Sequence, residues 1–207
     1  MSTRRFAETQ PASFAFNPDN LAWAEKQLAK YPPTRKASAI IPLLWRAQEQ
    51  CGGWLPRPAV EHISEMLGMA KIRGYEIATF YTMFNLAPTG KHHIQVCTTT
   101  PCWLRGSEEV VKACRHFMGI EEGDVSADGL FSYVEVECLG ACVNAPVVQM
   151  DKDFYEDLDG TKMEAMLTAL KAGKAPKPGP QIDRQTSAPV GGATTLTDPA
   201  LYSGGSR

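Results

Sequence analysis

His92-His-Ile-Gln-Val-Cys97-Thr-Thr-Thr-Pro-Cys102 is the stretch at which the chain changes its period. Before it, apolar residues recur at helical spacing. From His92 they alternate, which predicts a short strand over His92–Cys97 running out into a loop that holds Cys102. A second stretch repeats the arrangement. Phe131–Cys138 alternates as a strand, with Val134 and Val136 on one face, and runs out into Cys138-Leu-Gly-Ala-Cys142. Two strand ends therefore each carry a pair of cysteines into a loop. Strand ends of an α/β sheet are rigid platforms from which loops can turn several groups toward one point.

The rest of that region completes the sheet. Val110, Val111, Cys114, Phe117 and Met118 form the apolar face of a helix closed by Gly119. Pro146–Asp151 and Phe154–Leu158 read as a hairpin around Lys152-Asp153. Thr161-Lys-Met-Glu164 has the form of a capping box, and Met163, Met166, Leu167 and Leu170 carry its helix to Gly173. The order β-α-β-β-β-α is compatible with a thioredoxin-like sheet over residues 91–173.

Residues 17–85 read as helices only. Asn17-Pro18 is a cap with proline at the first helical position, and Leu21, Ala24, Leu28 and Tyr31 keep one face apolar. Further helices are expected from near Ser38 to Cys51, from Pro58 to Leu67, and around Gly74 to Phe84. In the last, Ile77, Phe80, Tyr81 and Phe84 form one stripe, read as bundle core. Four helices with short connections predict a small N-terminal bundle. Residues 174–207 mix proline, glycine, serine and threonine, so that segment is expected to be a tail, disordered or extended over a partner. Residues 1–16 look similarly loose. The fold class expected is thus α+β: a four-helix bundle (17–85), an α/β domain (91–173) and a tail (174–207).

Composition narrows the function. Twenty-one Lys and Arg against 23 Asp and Glu leave a formal charge of −2, giving no electrostatic reason to seek nucleic acid or anionic lipid. The longest apolar stretch, around Ala39–Trp45, is broken by Pro42 and falls far short of the roughly 20 residues of a membrane span. Met1-Ser-Thr-Arg-Arg-Phe6 touches a twin-arginine export pattern, but Glu8, Gln10 and Pro11 follow instead of an apolar run. A reducing compartment is therefore expected, where clustered cysteines point to metal or redox chemistry. There is no G-x-G-x-x-G, no Walker loop and no Ser-His-Asp grouping to suggest a catalytic site on this chain.

Cys97, Cys102, Cys138 and Cys142 are the candidate ligands. A zinc site of four cysteines favours two to four intervening residues, most often two, so gaps of four and three permit zinc without favouring it. A [2Fe–2S] cluster takes the same four thiolates, two on each iron, and suits wider loops. Gly140 and Ala141 let backbone N–H groups turn toward sulfur, and Thr98, Thr99 and Thr100 can add hydroxyl donors. Chain proximity divides the ligands as Cys97 with Cys102 and Cys138 with Cys142. Neither loop holds a histidine for a Rieske centre, C-x-x-C is missing, and a disulfide remains the plain alternative. Cys51 and Cys114 lie on apolar helical faces and read as packing residues. His92 and His93, beside the first strand, read as surface or packing residues, with a hydrogen bond near a cluster as the alternative.

The cysteine frame and the words around it are familiar. With Ile41-Pro-Leu-Leu44, Ala47-Gln-Glu-Gln50, Gly52-Gly-Trp-Leu55, Ala78-Thr-Phe-Tyr-Thr-Met-Phe84 and Cys138-Leu-Gly-Ala-Cys-Val-Asn-Ala-Pro146, the chain resembles the thioredoxin-like [2Fe–2S] 24 kDa subunits of respiratory complex I, the NADH:quinone oxidoreductase. The likeness spans roughly residues 17–173, and Pro176-Lys-Pro-Gly-Pro-Gln181 in the tail also agrees. The resemblance implies one [2Fe–2S] cluster held by Cys97, Cys102, Cys138 and Cys142. It implies a flavoprotein partner that binds NADH, FMN and a [4Fe–4S] cluster, and the large iron–sulfur subunit of the peripheral arm as a further neighbour. It also implies one-electron exchange with that FMN, on the cytoplasmic or matrix face, peripheral to the inner membrane and without insertion into it. Small subunits of NAD(P)-linked hydrogenases and formate dehydrogenases share the pattern. The reading from another class is an interaction module pinned by a four-cysteine zinc.

Overall fold

A computed structural model describes residues 5–201. The start of the twin-arginine-like word (residues 1–4) and the end of the tail (202–207) lie outside the described residues. The chain divides into two compact units, with the boundary at Lys91 and His92.

The first unit is helical: α1 (Pro18–Leu28), a 3-10 segment (Pro33–Ala39), α2 (Ile40–Gln50), α3 (Arg57–Met66) and α4 (Lys71–Phe80). Asn17 caps α1 as its sequence implies, its side chain accepting from the Asn20 N–H at 2.8 Å, an interaction worth about 1 kcal/mol. Gln50, at the end of α2, accepts from the Asn17 N–H and from Asn20 Nδ2, and donates to the Ala15 carbonyl. That side chain ties the first two helices together. Leu43, Leu44 and Ala47 of α2 meet Val60 and Ile63 of α3 in the core, joined by Ala78, Leu55 and Phe84.

Two expectations fail here. Residues 5–16 are not loose: Phe6 packs edge-on against Tyr75 beneath Arg57, and Phe14 and Phe16 enclose His62. The aromatic stripe on α4 is not a core stripe either. The helix stops at Phe80 because Tyr81 turns extended, so Phe84 reaches the core from a loop while Phe80 is 76% exposed. The buried face of α4 is Gly74 and Ala78, small enough to seat the helix closely on α3.

The second unit is a five-stranded mixed sheet with helices. Its elements are β1 (His92–Cys97), α5 (Thr100–Leu104), α6 (Ser107–Met118), β2 (Phe131–Val136), β3 (Val148–Met150), β4 (Asp153–Glu156), α7 (Gly160–Lys171) and β5 (Gly179–Pro180). Strand order is β2-β1-β3-β4-β5, with β1 parallel to β2 and antiparallel to β3. The register sets Ile94 beside Tyr133 and Val96 beside Val148. These residues face α6 and α7, which contribute Val110, Cys114, Met163 and Leu167 to one core. In β2 it is Phe131 and Tyr133 that are buried, while Val134 and Val136 are only half-covered. Burial in this strand does not alternate: Phe131, Ser132 and Tyr133 are all covered at its start, and Glu135 is exposed near its end. The cap of α7 also differs: Asp159, not Thr161, accepts from the Lys162 N–H at 2.8 Å. The aspartate sits two residues earlier, and its extended backbone is what an N-cap requires.

The largest difference lies past Gly173. Residues 179–188 turn back along their own unit. Gly179 and Pro180 pair with β4 as a parallel edge strand, and the Gln181 N–H bonds the Glu156 carbonyl at 2.9 Å. The composition of this arm gives no hint of a docking site within the same chain, because what fixes it is hydrogen bonding rather than apolar burial.

Candidate functional site

The two cysteine loops start from neighbouring strands. Cys97 is the last residue of β1, an interior strand between β2 and β3, and the β1–β2 register places Val136 beside it, two residues before Cys138. Adjacent parallel strands that stop at the same level deliver their loops to one place. The first loop is shorter than its sequence implies, because Thr99 opens the one-turn helix α5 and Cys102 lies inside that turn. The second stays irregular through Gly140 and tightens into a 3-10 turn, Cys142–Asn144.

The sulfurs stand as two pairs. Cys97 and Cys102 form a buried inner pair, 2% and 1% exposed, close enough for each thiol to act on the other's ionisation. Cys138 and Cys142 form an exposed outer pair with their sulfurs 3.4 Å apart. Cys142 lies close enough to Cys97 and Cys102 for their charges to act on one another. Ala145 and Val147 line the inner pair, with Leu139, Ala141 and Phe154 packed against them as an apolar cup.

Donors ring this cup. Burial pushes the Cys97 thiol up, yet the Thr99 hydroxyl at 3.2 Å, the Leu139 and Thr99 amides and the Cys102 thiol outweigh it and hold Cys97 below the ordinary thiol range. Cys102 is pushed up to about 12, by burial first and by its neighbour Cys97 second. Cys142 is raised chiefly by Cys138. These opposing shifts are what thiols crowded together show: one ionises readily, the next resists. Gly140 donates its N–H to the Cys138 sulfur at 3.4 Å, from a backbone φ of +82°.

The donor set fits an anionic iron–sulfur group better than a single ion. A mononuclear four-cysteine site needs a single tetrahedron, whereas four thiolates standing as two pairs, with N–H and O–H groups turned to sulfur, suit a binuclear centre.

The remaining candidates fall away from the site. Cys114 is fully buried between α6 and the sheet, its thiol raised to about 12 by burial, and Cys51 is half-buried at the end of α2. His93 lies near the start of β1, its Nδ1 2.8 Å from the Ser132 hydroxyl, at the end of the strand opposite Cys97. Sequence reasoning missed Asn144, Asp157 and Arg184, which converge beside the second loop. The available signal was an arginine beside an aspartate, Asp183-Arg184, in a segment otherwise rich in proline and small residues.

Known proteins resemble the chain over most of its length. A family described as thioredoxin-like [2Fe-2S] ferredoxin matches residues 24–171. The first of the numbered E-type subunits of NADH-quinone oxidoreductase from Rhizobium meliloti (strain 1021) is 53% identical over 204 residues, covering 96% of this chain and 74% of that protein. The E-type subunit of NADH-quinone oxidoreductase from Rickettsia bellii (strain RML369-C) is 58% identical over 163 residues, covering 79% of this chain and 98% of its own length. Among solved structures, an NAD+-reducing [NiFe]-hydrogenase in the air-oxidized state aligns over 63% of this chain with a TM-score of 0.55 at 20% identity. The chain spans 23% of that hydrogenase chain, a likeness of fold alone.

Proposed function

The chain belongs to the thioredoxin-like [2Fe-2S] ferredoxin family, and we propose that it is the one-electron carrier subunit of the NADH dehydrogenase module of a NADH:quinone oxidoreductase. The observation that carries this reading is the convergence of two cysteine pairs on one apolar cup ringed by N–H and O–H donors. The names of relatives more than half identical over most of the chain support it.

When bound, a [2Fe–2S] cluster supplies reversible one-electron chemistry. Cys97, Cys102, Cys138 and Cys142 are the residues proposed to hold it, as an inner and an outer pair. The inner pair, buried at the end of β1 and in α5, excludes water and fixes the position. The outer pair reaches solvent and leaves a short path to a redox partner. The Gly140 and Leu139 amides and the Thr99 hydroxyl stabilise negative charge on sulfur, which favours the reduced state. With no nucleotide loop on this chain, the partner proposed is a flavoprotein subunit that binds NADH and FMN, with the large iron–sulfur subunit of the peripheral arm as second neighbour. No helix among the described residues is long and apolar enough to cross a membrane. The proposed location is peripheral, on the cytoplasmic or matrix face.

Iron, zinc and acid-labile sulfide analysis of the purified chain, with an EPR spectrum after dithionite reduction, tests the reading. About two irons and two sulfides per chain with a reduced paramagnetic signal are expected. One zinc without sulfide would instead make the chain an interaction module. Co-expression with the flavoprotein tests the partner, since a stable heterodimer is expected and its absence would remove that part.

A further inference from the structure

Arg184 lies in a segment of prolines and small residues, yet its side chain is only 6% exposed, and that of Asp157 only 9%. The guanidinium grips Asp157 with two parallel bonds, Nε to Oδ2 and Nη2 to Oδ1, each 2.9 Å. Nη2 also donates to the Val143 carbonyl at 3.3 Å, and Nη1 to the Ala188 carbonyl at 3.4 Å. Val143 directly follows Cys142. The next residue, Asn144, is 1% exposed and gives its Nδ2 to the Thr186 carbonyl at 3.2 Å and to the Glu156 carboxylate. From the sheet side, the Asp157 N–H donates to the Asn144 carbonyl at 2.8 Å. The arm, the end of β4 and the loop after Cys142 are thereby joined through one buried ion pair and the groups beside it.

We propose that residues 179–188 form a strap that fixes the second ligand loop, with Arg184 as the positioning residue that sets where Cys142 stands. This rests on Cys142 being a cluster ligand. Only an arginine suits the place: its planar fork satisfies both oxygens of Asp157 and has donors left for two carbonyls, which a single ammonium cannot match. A carboxylate as buried as Asp157 needs that partner, and without it the arm and the loop part. The inner pair does not depend on the strap, since β1 and α5 hold it. The strap therefore gives the exposed half of the site a rigidity that an irregular, glycine-containing loop lacks by itself.

Arg184→Gln and Arg184→Lys in the full-length chain test the proposal by two independent readouts. The first is amide hydrogen exchange of Asp157 and Leu158, whose N–H groups bond the Asn144 and Pro146 carbonyls. The second is the rate of iron loss to a chelator under anaerobic conditions. Arg184→Gln is expected to speed both by about tenfold or more, the scale of one buried charge-assisted contact. Arg184→Lys, which keeps the charge and the fold but not the fork, should fall between. Unchanged exchange in both variants would overturn the strap. Faster exchange with unchanged iron loss would keep the strap and overturn its hold on Cys142. Wild-type chain without iron and sulfide would overturn the ligand reading alone, and the exchange data would still decide on the strap.

Discussion

Gly140 is the position at which the backbone of the ligand loop can be tested without touching a sulfur. Its φ of +82° lies in the left-handed region, and it donates to Cys138 from there. A Cβ added to it would meet nothing within 4 Å, so substitution carries no steric clash and the whole cost is conformational. For an ordinary L-residue that cost is about 1–2 kcal/mol, less for asparagine and more for a β-branched residue. The loop relieves the strain by rotating φ back to negative values, which swings the N–H away from the sulfur and lets Cys138 drift from Cys142.

At about 1.4 kcal/mol per tenfold, Gly140→Ala should leave the cluster roughly ten times easier to remove. Gly140→Asn should lie nearer to wild type, and Gly140→Val should be the worst of the three. The assay is iron release to a chelator followed by the decay of visible absorbance, with far-ultraviolet circular dichroism confirming an intact fold. Equal release rates for glycine, alanine and valine would refute the claim that a left-handed turn holds the outer pair. A valine variant that unfolds would refute the claim that the space around Gly140 is open.

Replacing Cys138 with serine should preserve the fold and shift or abolish the reduced EPR signal, while Cys51→Ala and Cys114→Ala should retain full iron; an unchanged spectrum in Cys138→Ser removes that residue from the ligand set. Gly74→Ala should destabilise the helical unit by about 1–3 kcal/mol, because the added Cβ would drive into Ser64 Oγ and come within 3.0 Å of Val60 Cγ1, and adding Ser64→Ala should recover part of the loss in thermal melting. His93 is held down to about 4 by burial, so from pH 6.5 to 4 the unfolded chain binds the extra proton and stability falls with pH. The loss should reach about 2 kcal/mol between pH 7.5 and 5, seen in urea titrations, and a His93→Asn chain should lack that slope.

How far the sequence can be read follows the distance over which each feature is determined. The cap at Asn17, the strand His92–Cys97, and the helix carrying Met163, Met166, Leu167 and Leu170 rest on neighbours within a turn or two, and each stands where its spacing puts it. Phe80 and Tyr81 mislead because Tyr81 leaves the helix, and nothing local in Ala78-Thr-Phe-Tyr-Thr-Met-Phe84 announces that exit. Val134 and Val136 are only half-covered although Ser132 on their own face is buried, because alternation tells two faces apart without saying how far along the strand each is covered; Phe131 and Tyr133 meet α6 and α7. Residues 5–16 and 179–188 are unreadable for a related reason. Their order depends on partners such as Tyr75, His62, Glu156 and Asp157, far along the chain.

The same distinction runs through the candidate site and bears on how it works. Cys97 and Cys102 are fixed by a strand end and a helical turn, both local, and they are buried. Cys138 and Cys142 are exposed on a loop whose conformation depends on one glycine and on an arm some 40 residues further on. A carrier that must hand an electron to another protein needs one side rigid and dry, so that the centre does not reorganise, and one side open, so that the partner can approach. The open side cannot be walled in by its own chain without blocking that approach. Anchoring the loop from behind, through Val143, Asn144 and Arg184, satisfies both demands: it stiffens the outer sulfurs while leaving their solvent face clear.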